Sequence, residues 1–506
     1  MSSPPTLTYF PTSLPRKDFA WEVLEMGDVL ELLEPFCAST LGYRALRDLG
    51  PRPVEEARAA LEHIREMREL ITQETVPSLA GLADPLPKDP YDLTAYDEDR
   101  YAKLRGFLDA AGRLTGWFAD HEHVAPRLYQ VLLALPDVKP LLARIDLTVD
   151  ERGKVRRDAS PLLQRLERRI EELNGLVNVA LRAVLAKAEV RQVLSDSAVH
   201  RRSGRPVLAV RAKSAGRVRG IVHDRSQSGE SVFIEPREVI ELGNQLAAAQ
   251  SDQRREIERV LIELTRAIIE RLDRIHEVAA GLIEVELAWI GAGFCLAYGA
   301  HPALQPGDKG ASPSLLLRSA RHPLLIDQAK RGEIEAVVPI DLRLGDAFDM
   351  LIITGPNTGG KTLALKTAGL FSLMTRAGLP VPCEEGTTIP LFEGIAADIG
   401  DEQEIRQNLS TFASHLVRIQ AGLQRANPET LVLLDELGGG TDPDEGAALG
   451  EAVLETLLKR MAPTLVSTHI GRLKEFAFRH PRAENACTEF DLKTLAPLYH
   501  LLVGTP

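Results

Sequence analysis

The sequence has no excess of positive charge and very few cysteines. Its 60 Lys and Arg residues face 72 Asp and Glu, and the net charge of −12 offers no reason to expect nucleic-acid binding. Four cysteines lie far apart without C-x-x-C spacing: Cys37, Cys295, Cys383 and Cys487. This scatter argues against a zinc site or a disulfide framework, and it predicts reduced, buried thiols in a cytoplasmic protein.

The sequence also shows no signal peptide and no long apolar run without charges. Its most apolar segment, around residues 278–297, contains Glu284 and Glu286, so we expect a core helix and not a membrane span. We therefore expect a cytoplasmic location and no membrane partner. With 506 residues, 44% of them hydrophobic, the chain can bury a large core in two or three domains.

Residues 351–362, LIITGPNTGGKT, form the most informative segment of the sequence. An apolar run of strand type leads into a loop of the pattern G-x-x-x-x-G-K-[ST], and the apolar spacing of residues 363–374 predicts a helix after it. An ordinary strand-to-helix turn is the alternative. The loop predicts a phosphate site, because glycines let backbone N–H groups approach phosphate oxygens, the Lys reaches the β- and γ-phosphates and the Thr hydroxyl binds Mg²⁺. The candidate nucleotide-binding residues are Gly355, Pro356, Asn357, Thr358, Gly359, Gly360, Lys361 and Thr362.

A second apolar run, residues 431–434, ends in Asp435 and Glu436. Two acids after a strand are often only a solvated strand end. Together with the phosphate loop they indicate a Walker B element, in which Asp435 holds Mg²⁺ and Glu436 is the general base. A third strand from Thr464 ends in His469, a candidate contact to the γ-phosphate or the attacking water. The prediction for His469 depends on the other two motifs.

Between these elements, NLSTFASHL at residues 408–416 predicts a helix capped by Ser410 and Thr411. The segments GPNTGGKT, DIGDEQEIRQNLSTFASHL, LLDELGGGTDP and STH, in this order and spacing, closely resemble the ATPase domain of the MutS family, which belongs to the ABC-type ATPases. The resemblance implies that Ser410 faces the γ-phosphate of a partner subunit, so that a homodimer forms composite ATP sites.

Other segments resemble the bacterial MutS-II branch of that family. These are GTDPDEGAALG after the Walker B acids and RGIVHDRSQSGESVFIEPREVIELGNQL at residues 219–246. ARHPLL at 320–325 and VVPIDLRL at 337–344 resemble the segment that opens the ATPase domain and borders the adenine, with Ile340 where the family usually has Asn. The resemblance extends from about Asp18 to the end of the sequence.

One stretch opposes the acidic character of the chain. Between residues 201 and 225 there are eight Lys or Arg and one acid, a local charge of +7. Strand-like pieces there alternate with Gly and Ser turns, and long amphipathic helices precede and follow them. A solvated hairpin is one interpretation; a clamp that grips a phosphate backbone is the other. The candidate nucleic-acid-binding residues are Arg201, Arg202, Arg205, Arg211, Lys213, Arg217, Arg219 and Arg225.

These observations predict a multidomain protein with an α-helical core, long lever helices and a small β-rich clamp, followed by an α/β ABC-type P-loop ATPase domain. We expect a flexible tail at 1–17, a helical core at 18–157, levers and clamp at 158–275 with the basic tip at about 199–236, returning helices and a connector at 276–311 and the ATPase domain at 312–506.

The resemblance also implies what to expect at the two ends. Mismatch-reading MutS proteins carry an N-terminal domain with a Phe-x-Glu wedge; here the first helices look like the start of the core domain, and residues 233–235 match the wedge by chance. MutS-II proteins usually continue into an Smr nuclease domain, which would lie beyond Pro506. The last strand-like piece, residues 499–503, has no closing helix, which suggests a piece of a longer protein.

The expected function is ATP hydrolysis with Mg²⁺ by a dimeric nucleic-acid clamp. The resemblance implies binding of branched DNA and suppression of homologous recombination, or alternatively recognition of stalled ribosomes through ribosomal RNA. Phosphate contacts carry no base information, so the sequence does not separate these two targets. A chromosome-organising ATPase with long coiled coils is a third interpretation, for which the helices are too short.

Overall fold

The computed structural model describes residues 13–87, 89–311, 314–356, 359–400, 411–490 and 497–505. Within this part of the chain there are two compact units. The first, here called the ATPase unit, comprises residues 13–83, 110–136 and 275–505. The second, here called the arm, comprises residues 84–109 and 137–274. The predicted domain boundaries stay predictions.

In the described part of the chain the first eight α-helices precede every strand, and strands and helices are mixed after them. The α-helices are α1 (Met26–Leu33), α2 (Thr40–Arg47), α3 (Val54–Thr72), α4 (Glu98–Asp120), α5 (Pro126–Leu133), α6 (Lys139–Thr148), α7 (Pro161–Ala186), α8 (Ala188–Arg191), α9 (Arg237–Ile269), α10 (Leu272–Tyr298), α11 (Pro323–Lys330), α12 (Lys361–Arg376), α13 (Thr411–Arg425), α14 (Pro443–Lys459) and α15 (Gly471–Arg479). The strands are β1 (Leu194–Arg202), β2 (Arg205–Arg211), β3 (Gly220–Arg225), β4 (Ser231–Pro236), β5 (Ala300–His301), β6 (Leu315–Ala320), β7 (Ile340–Leu344), β8 (Met350–Thr354), β9 (Val381–Pro382), β10 (Gly394–Asp398), β11 (Thr430–Leu434), β12 (Thr464–Ser467), β13 (Ala483–Phe490) and β14 (Pro497–Val503).

A six-stranded sheet forms the centre of the ATPase unit. Its strand order is β10-β11-β12-β8-β13-β14; all neighbouring pairs are parallel except β13 and β14. Strands β8 and β11 are buried at every position, as expected for strands covered on both faces. One face packs against α14 and α15, and α12 contacts β10, β11 and β12. The carboxyl ends of the parallel strands therefore meet at one edge, where α/β proteins bind ligands.

Helix α10 is long and apolar enough to cross a membrane by length and composition alone. However, 78% of its most apolar window is buried inside the protein. The two acids of its apolar segment are paired: Arg52 donates to Glu284 at 3.0 Å, and the Ser39 hydroxyl donates to Glu286 at 2.6 Å. The surroundings of α10 agree with the core helix that its sequence predicts.

The arm contains two of the three longest helices in the described part of the chain. Helices α7, with 26 residues, and α9, with 33, pack along each other, and Leu173 of α7 shares a cluster with Leu246 and Ala249 of α9. Next to them lies an antiparallel sheet of order β1-β2-β4-β3. The predicted fold class, long helices with a small β-rich tip and an α/β domain, is thus confirmed.

The four cysteines are free thiols, as predicted. Cys295 and Cys383 are buried, and burial raises the pKa of these thiols to about 12 and about 11. Cys37 and Cys487 are only half-buried. The expectation that all four thiols are buried was therefore wrong for these two: Cys37 follows the short 3-10 helix Glu34–Phe36, and Cys487 lies within β13, between β8 and β14.

Candidate functional site

The phosphate loop lies between β8 and α12, as the sequence predicts. Gly355 has a φ of 132° and Gly360, the residue before α12, has a φ of 88°, conformations that favour glycine. The Lys361 ammonium is buried and donates to the carbonyl oxygen of Gly355 at 2.5 Å. Pro356 is exposed, whereas the predicted residues Asn357 and Thr358 lie outside the described residues.

The loop also passes very close to β13. Thr488 follows Cys487, which pairs with Thr354, so it lies beside the first residue of the loop. A Cβ atom added to Gly355 or Gly359 would collide with the Thr488 hydroxyl, so both positions require glycine. The Thr488 hydroxyl is itself buried and has no hydrogen-bond partner among the described residues.

The Walker B residues meet the phosphate loop at the carboxyl ends of β8 and β11. The Thr362 hydroxyl donates to Asp435 Oδ2 at 2.7 Å, which joins the two predicted Mg²⁺ ligands directly. Burial lowers the pKa of the Lys361 ammonium, while the Glu436 and Asp435 carboxylates act in the opposite direction. One cation and two carboxylates therefore share a single site.

Glu436, the predicted general base, is exposed beside Asp435. Its φ of 49° is uncommon outside glycine, and residues held in such conformations cluster at functional sites. His469, after β12, is also exposed, and its ring lies 3.6 Å from where a Cβ of Gly439 would be. Gly439 is three residues beyond Glu436 in the loop after β11. Glu436 and His469, the two predicted groups, therefore both lie at this loop.

Ser467, at the end of β12, is a site residue that sequence reasoning missed. Its fully buried hydroxyl donates to Asp435 Oδ1 and accepts from the Glu436 backbone N–H at 2.9 Å. One side chain thus orients both Walker B acids. The signal was available, because Ser467 opens the STH segment that contains His469.

A second missed group lies on the neighbouring strand. The Asp398 carboxylate, at the end of β10, is 3% exposed and accepts from His415 Nδ1 of α13 at 2.9 Å. Asp398 lies beside the Walker B strand, and His415 belongs to the NLSTFASHL segment. Ser410, the predicted helix cap and partner-site residue of that segment, lies outside the described residues.

These residues fit a nucleoside triphosphate and a divalent cation. The two loop glycines leave a concave backbone that a Cβ would fill, and the Thr488 hydroxyl beside it is an orphaned polar atom. A hydroxyl and a carboxylate are oxygen ligands of the kind that Mg²⁺ prefers. Lys361 supplies the positive charge that phosphate oxygens need.

Residues 351–501 match the family model of MutS domain V. The chain belongs to the MutS family. It is 38% identical to Endonuclease MutS2 of Pelotomaculum thermopropionicum over 489 residues, 39% identical to that of Thermomicrobium roseum over 498 and 35% identical to that of Halothermothrix orenii over 506. Each alignment covers 96% of this chain and 60 to 62% of the relative. The chain is thus a MutS2-type homologue that spans about three fifths of these relatives' length.

The family assignment confirms the resemblance seen in the sequence. MutS domain V is an ATPase domain of ABC type, and the parallel sheet with its phosphate loop between β8 and α12 is consistent with it. The ATPase unit therefore has the fold of a nucleotide-binding domain. The individual roles of its site residues stay predictions.

The basic residues of the arm divide into paired and unpaired groups. Arg202 forms an ion pair with Asp224 at 3.3 Å and lies over the ring of Phe233 at 4.1 Å. Arg205 donates to Glu235 at 3.3 Å and to Asn244 at 2.7 Å. Because their charge is already neutralised within the arm, these two arginines are weaker candidates for phosphate contacts than the sequence suggested.

The other six cations are exposed and form no ion pair with a described carboxylate. Strand register separates them along the sheet: Arg211 pairs with Ser231 at one end of β4, and Gly220, next to Arg219, pairs with Pro236 at the other end. Five strand steps separate these ends, roughly 17 Å. The six exposed cations are Arg201, Arg211, Lys213, Arg217, Arg219 and Arg225.

Proposed function

We propose that this chain is an ATP-hydrolysing, dimeric nucleic-acid clamp of the MutS2 type. The observation that carries the ATPase proposal is the hydrogen bond between Thr362 and Asp435, which joins the phosphate loop to the Walker B strand. The two motifs are 73 residues apart in sequence. Their direct contact at the carboxyl edge of a parallel sheet is the arrangement that phosphoryl transfer requires.

Each residue of the site has a chemical task in this proposal. Lys361 and the loop amides bind the phosphates of ATP, while Thr362 and Asp435 hold Mg²⁺. When bound, Mg²⁺ neutralises charge on the phosphate oxygens. Glu436 accepts a proton from the attacking water, and His469 donates a hydrogen bond near the γ-phosphate.

We further propose that the working form is a homodimer. The family resemblance implies that Ser410, which precedes α13 in the sequence, completes the ATP site of the partner subunit. A helix N-terminus attracts an anion there, because its free N–H groups and its dipole both favour negative charge. ATP would then hold two subunits together, and hydrolysis would release them.

The arm is the proposed nucleic-acid clamp, and branched DNA is its proposed target in the cytoplasm. Six exposed cations that pair with no described carboxylate, in a protein of net charge −12, support this assignment, because a solvated surface of an acidic protein needs no such concentration of positive charge. Suppression of homologous recombination would follow from holding recombination intermediates. The nuclease activity in the relatives' printed name is not proposed for the residues described here.

The test is the salt dependence of binding to a four-way DNA junction, measured with ATP and Mg²⁺ on the hydrolysis-deficient variant Glu436→Gln. Each phosphate neutralised should contribute a log–log slope of roughly −0.7 to −0.9. The fourfold reversal Arg211→Glu, Lys213→Glu, Arg217→Glu and Arg219→Glu should abolish binding and flatten the slope. Basal ATPase activity, measured without Glu436→Gln, should survive.

The matched control carries the same change in charge away from the tip. Arg165, Arg168, Arg254 and Arg266 are exposed arginines of α7 and α9, and reversing all four should leave junction binding nearly intact. Equal losses in the two fourfold variants would mean that overall charge, and not the tip, governs binding. If the parent sediments with ribosomes but does not bind junctions, and the reversal at the tip abolishes that sedimentation, the target of the clamp is ribosomal RNA. If the fourfold reversal at the tip leaves the binding of both targets unchanged, the basic segment is only a solvated hairpin.

A further inference from the structure

Asp398 occupies a position between the Walker B strand and helix α13. It is the last residue of β10, where it pairs with Leu434, and its backbone oxygen accepts from the Asp435 N–H at 2.8 Å. Asp398 therefore contacts the backbone of the predicted Mg²⁺ ligand. It does so with its main chain, which leaves its carboxylate for other partners.

Those partners both come from α13. His415 Nδ1 lies 3.0 Å and 2.9 Å from the two carboxylate oxygens of Asp398, and Arg418 Nη1 lies 3.4 Å from one of them. His415 and Arg418 are three residues apart, so they lie on one face of the helix. Two side chains of α13 thus contact one buried acid at the end of β10, the strand next to the Walker B strand β11.

Burial of this carboxylate has a cost that a purely structural contact would avoid. Burial raises the pKa of Asp398, and the Asp435 charge acts in the same direction, whereas His415 and Arg418 oppose the rise. An apolar pair of similar size would join a strand and a helix without desolvating a charge. The carboxylate differs from an apolar pair because its hydrogen bonds are directional. They fix the position of α13 along its axis relative to β10, as well as the distance between the two elements.

We infer that Asp398 is a positioning residue for ATP hydrolysis, which acts through His415 to hold α13 in register with the Walker B strand end. The inference rests on the proposed ATPase function. Because Asp398 contacts Asp435 through the backbone and α13 through its side chain, a shift of either element is transmitted to the other. Nucleotide binding itself is assigned to other residues, so loss of this link should affect turnover more than affinity.

The experiment compares His415→Leu, His415→Asn and Asp398→Asn with the parent chain. The affinity for MgATP is measured with a fluorescent ATP analogue, turnover by phosphate release and folding by the melting temperature. His415→Leu removes the donor, and we expect kcat to fall about 10- to 100-fold while nucleotide affinity stays within about threefold, since small misplacements cost that much in rate. His415→Asn should recover most of the turnover, because its side-chain N–H occupies the position of Nδ1.

Two further variants separate positioning from general packing. The double variant His415→Leu with Asp398→Asn should be no slower than His415→Leu alone, because both changes break one link. The control is His500→Leu, which removes another histidine–carboxylate contact of the same unit, the 3.1 Å pair with Glu489. It should leave kcat unchanged.

The outcomes separate this inference from the proposed function. A parent chain that neither binds nor hydrolyses MgATP would overturn both. An active parent with equal kcat in His415→Leu would overturn the inference and leave the ATPase proposal standing. If His415→Leu does not fold, His415→Gln replaces it. The Gln amide lies one carbon farther from the backbone than the Asn amide, so a kcat for His415→Gln at least about tenfold below that of His415→Asn supports the inference. Equal rates for these two variants would refute it.

Discussion

Replacing Ser467 by Ala removes one hydroxyl that holds both Walker B acids. The hydroxyl is fully buried, donates to the Asp435 carboxylate and accepts from the Glu436 N–H. A hydrogen bond to a charged group contributes about 1.5 to 3 kcal/mol, and one between neutral groups about 1 kcal/mol. Water reaches Asp435 and Glu436 from the exposed side and recovers part of this loss. We therefore expect the free energy of unfolding to fall by about 1 to 2 kcal/mol.

The effect on catalysis should be larger than this loss of stability suggests. Glu436 has a φ of 49°, and its backbone N–H is held by Ser467. Without that bond the backbone can relax toward an ordinary conformation, which moves the carboxylate. Every 1.36 kcal/mol of lost transition-state stabilisation lowers the rate about tenfold, so we expect kcat to fall about 10- to 100-fold with nucleotide affinity nearly unchanged.

The matched control is Ser372→Ala. Ser372 is equally buried, but its hydroxyl donates only to the Ala368 carbonyl of its own helix at 2.8 Å. This variant should lose about 1 kcal/mol of stability or less and keep its turnover. Phosphate release, a fluorescent ATP analogue and chemical denaturation measure the three quantities. Parent turnover in Ser467→Ala would show that the hydroxyl supports only the fold, and the reasoning would be wrong.

Two more substitutions test the close packing at the loop and the ionic contacts of the arm. Gly359→Ala should lower kcat/KM for ATP, since its new Cβ would meet the Thr488 hydroxyl. Adding Thr488→Ala should restore part of the loss. Gly116→Ala is the neutral control, because no atom lies within 4 Å of a Cβ at that position. The Arg259 guanidinium holds the pKa of Glu256 at about 2, below its ordinary 4.5, so this contact stabilises the arm above pH 4.5 and is lost as the pH falls toward 2. With Arg259 half-exposed, we expect Glu256→Gln to cost about 1 to 2 kcal/mol at pH 7. The difference in melting temperature from the parent should shrink between pH 5 and pH 3, and a constant difference would contradict the assignment.

The elements around the nucleotide could be predicted because their signals are local in sequence. The strand, loop and helix at 350–376 follow one another in the sequence, and the pattern of glycines predicts the backbone conformation of the loop. The contacts of Ser467 and Asp398 could not be predicted in the same way. They depend on the strand order β10-β11-β12-β8, which brings Ser467 to two acids 31 and 32 positions away and Asp398 to Asp435, 37 positions away.

The arm shows the limits of counting charges along a sequence. Glu235, which neutralises Arg205, lies outside the basic segment, and only the pairing of strands brings the two together. Strand β1 carries mostly polar residues and is largely exposed, so it lacks the apolar alternation by which the other strands were recognised. Residues 233–235 fit a wedge motif, yet Phe233 is 8% exposed, and its surroundings agree with a chance match.

The length of α9 determines how the arm converts rotation into displacement. A helix of 33 residues is about 50 Å long. A rotation of about 5° at one end therefore moves the other end by about 4 Å, close to the roughly 3.4 Å that one DNA strand advances along the helix axis per phosphate. Because α7 packs along α9, the pair resists bending better than a single helix. If the arm binds DNA as proposed, a small angular change at the C-terminal end of α9 shifts the exposed cations by about one nucleotide step without any change in the contacts within the arm.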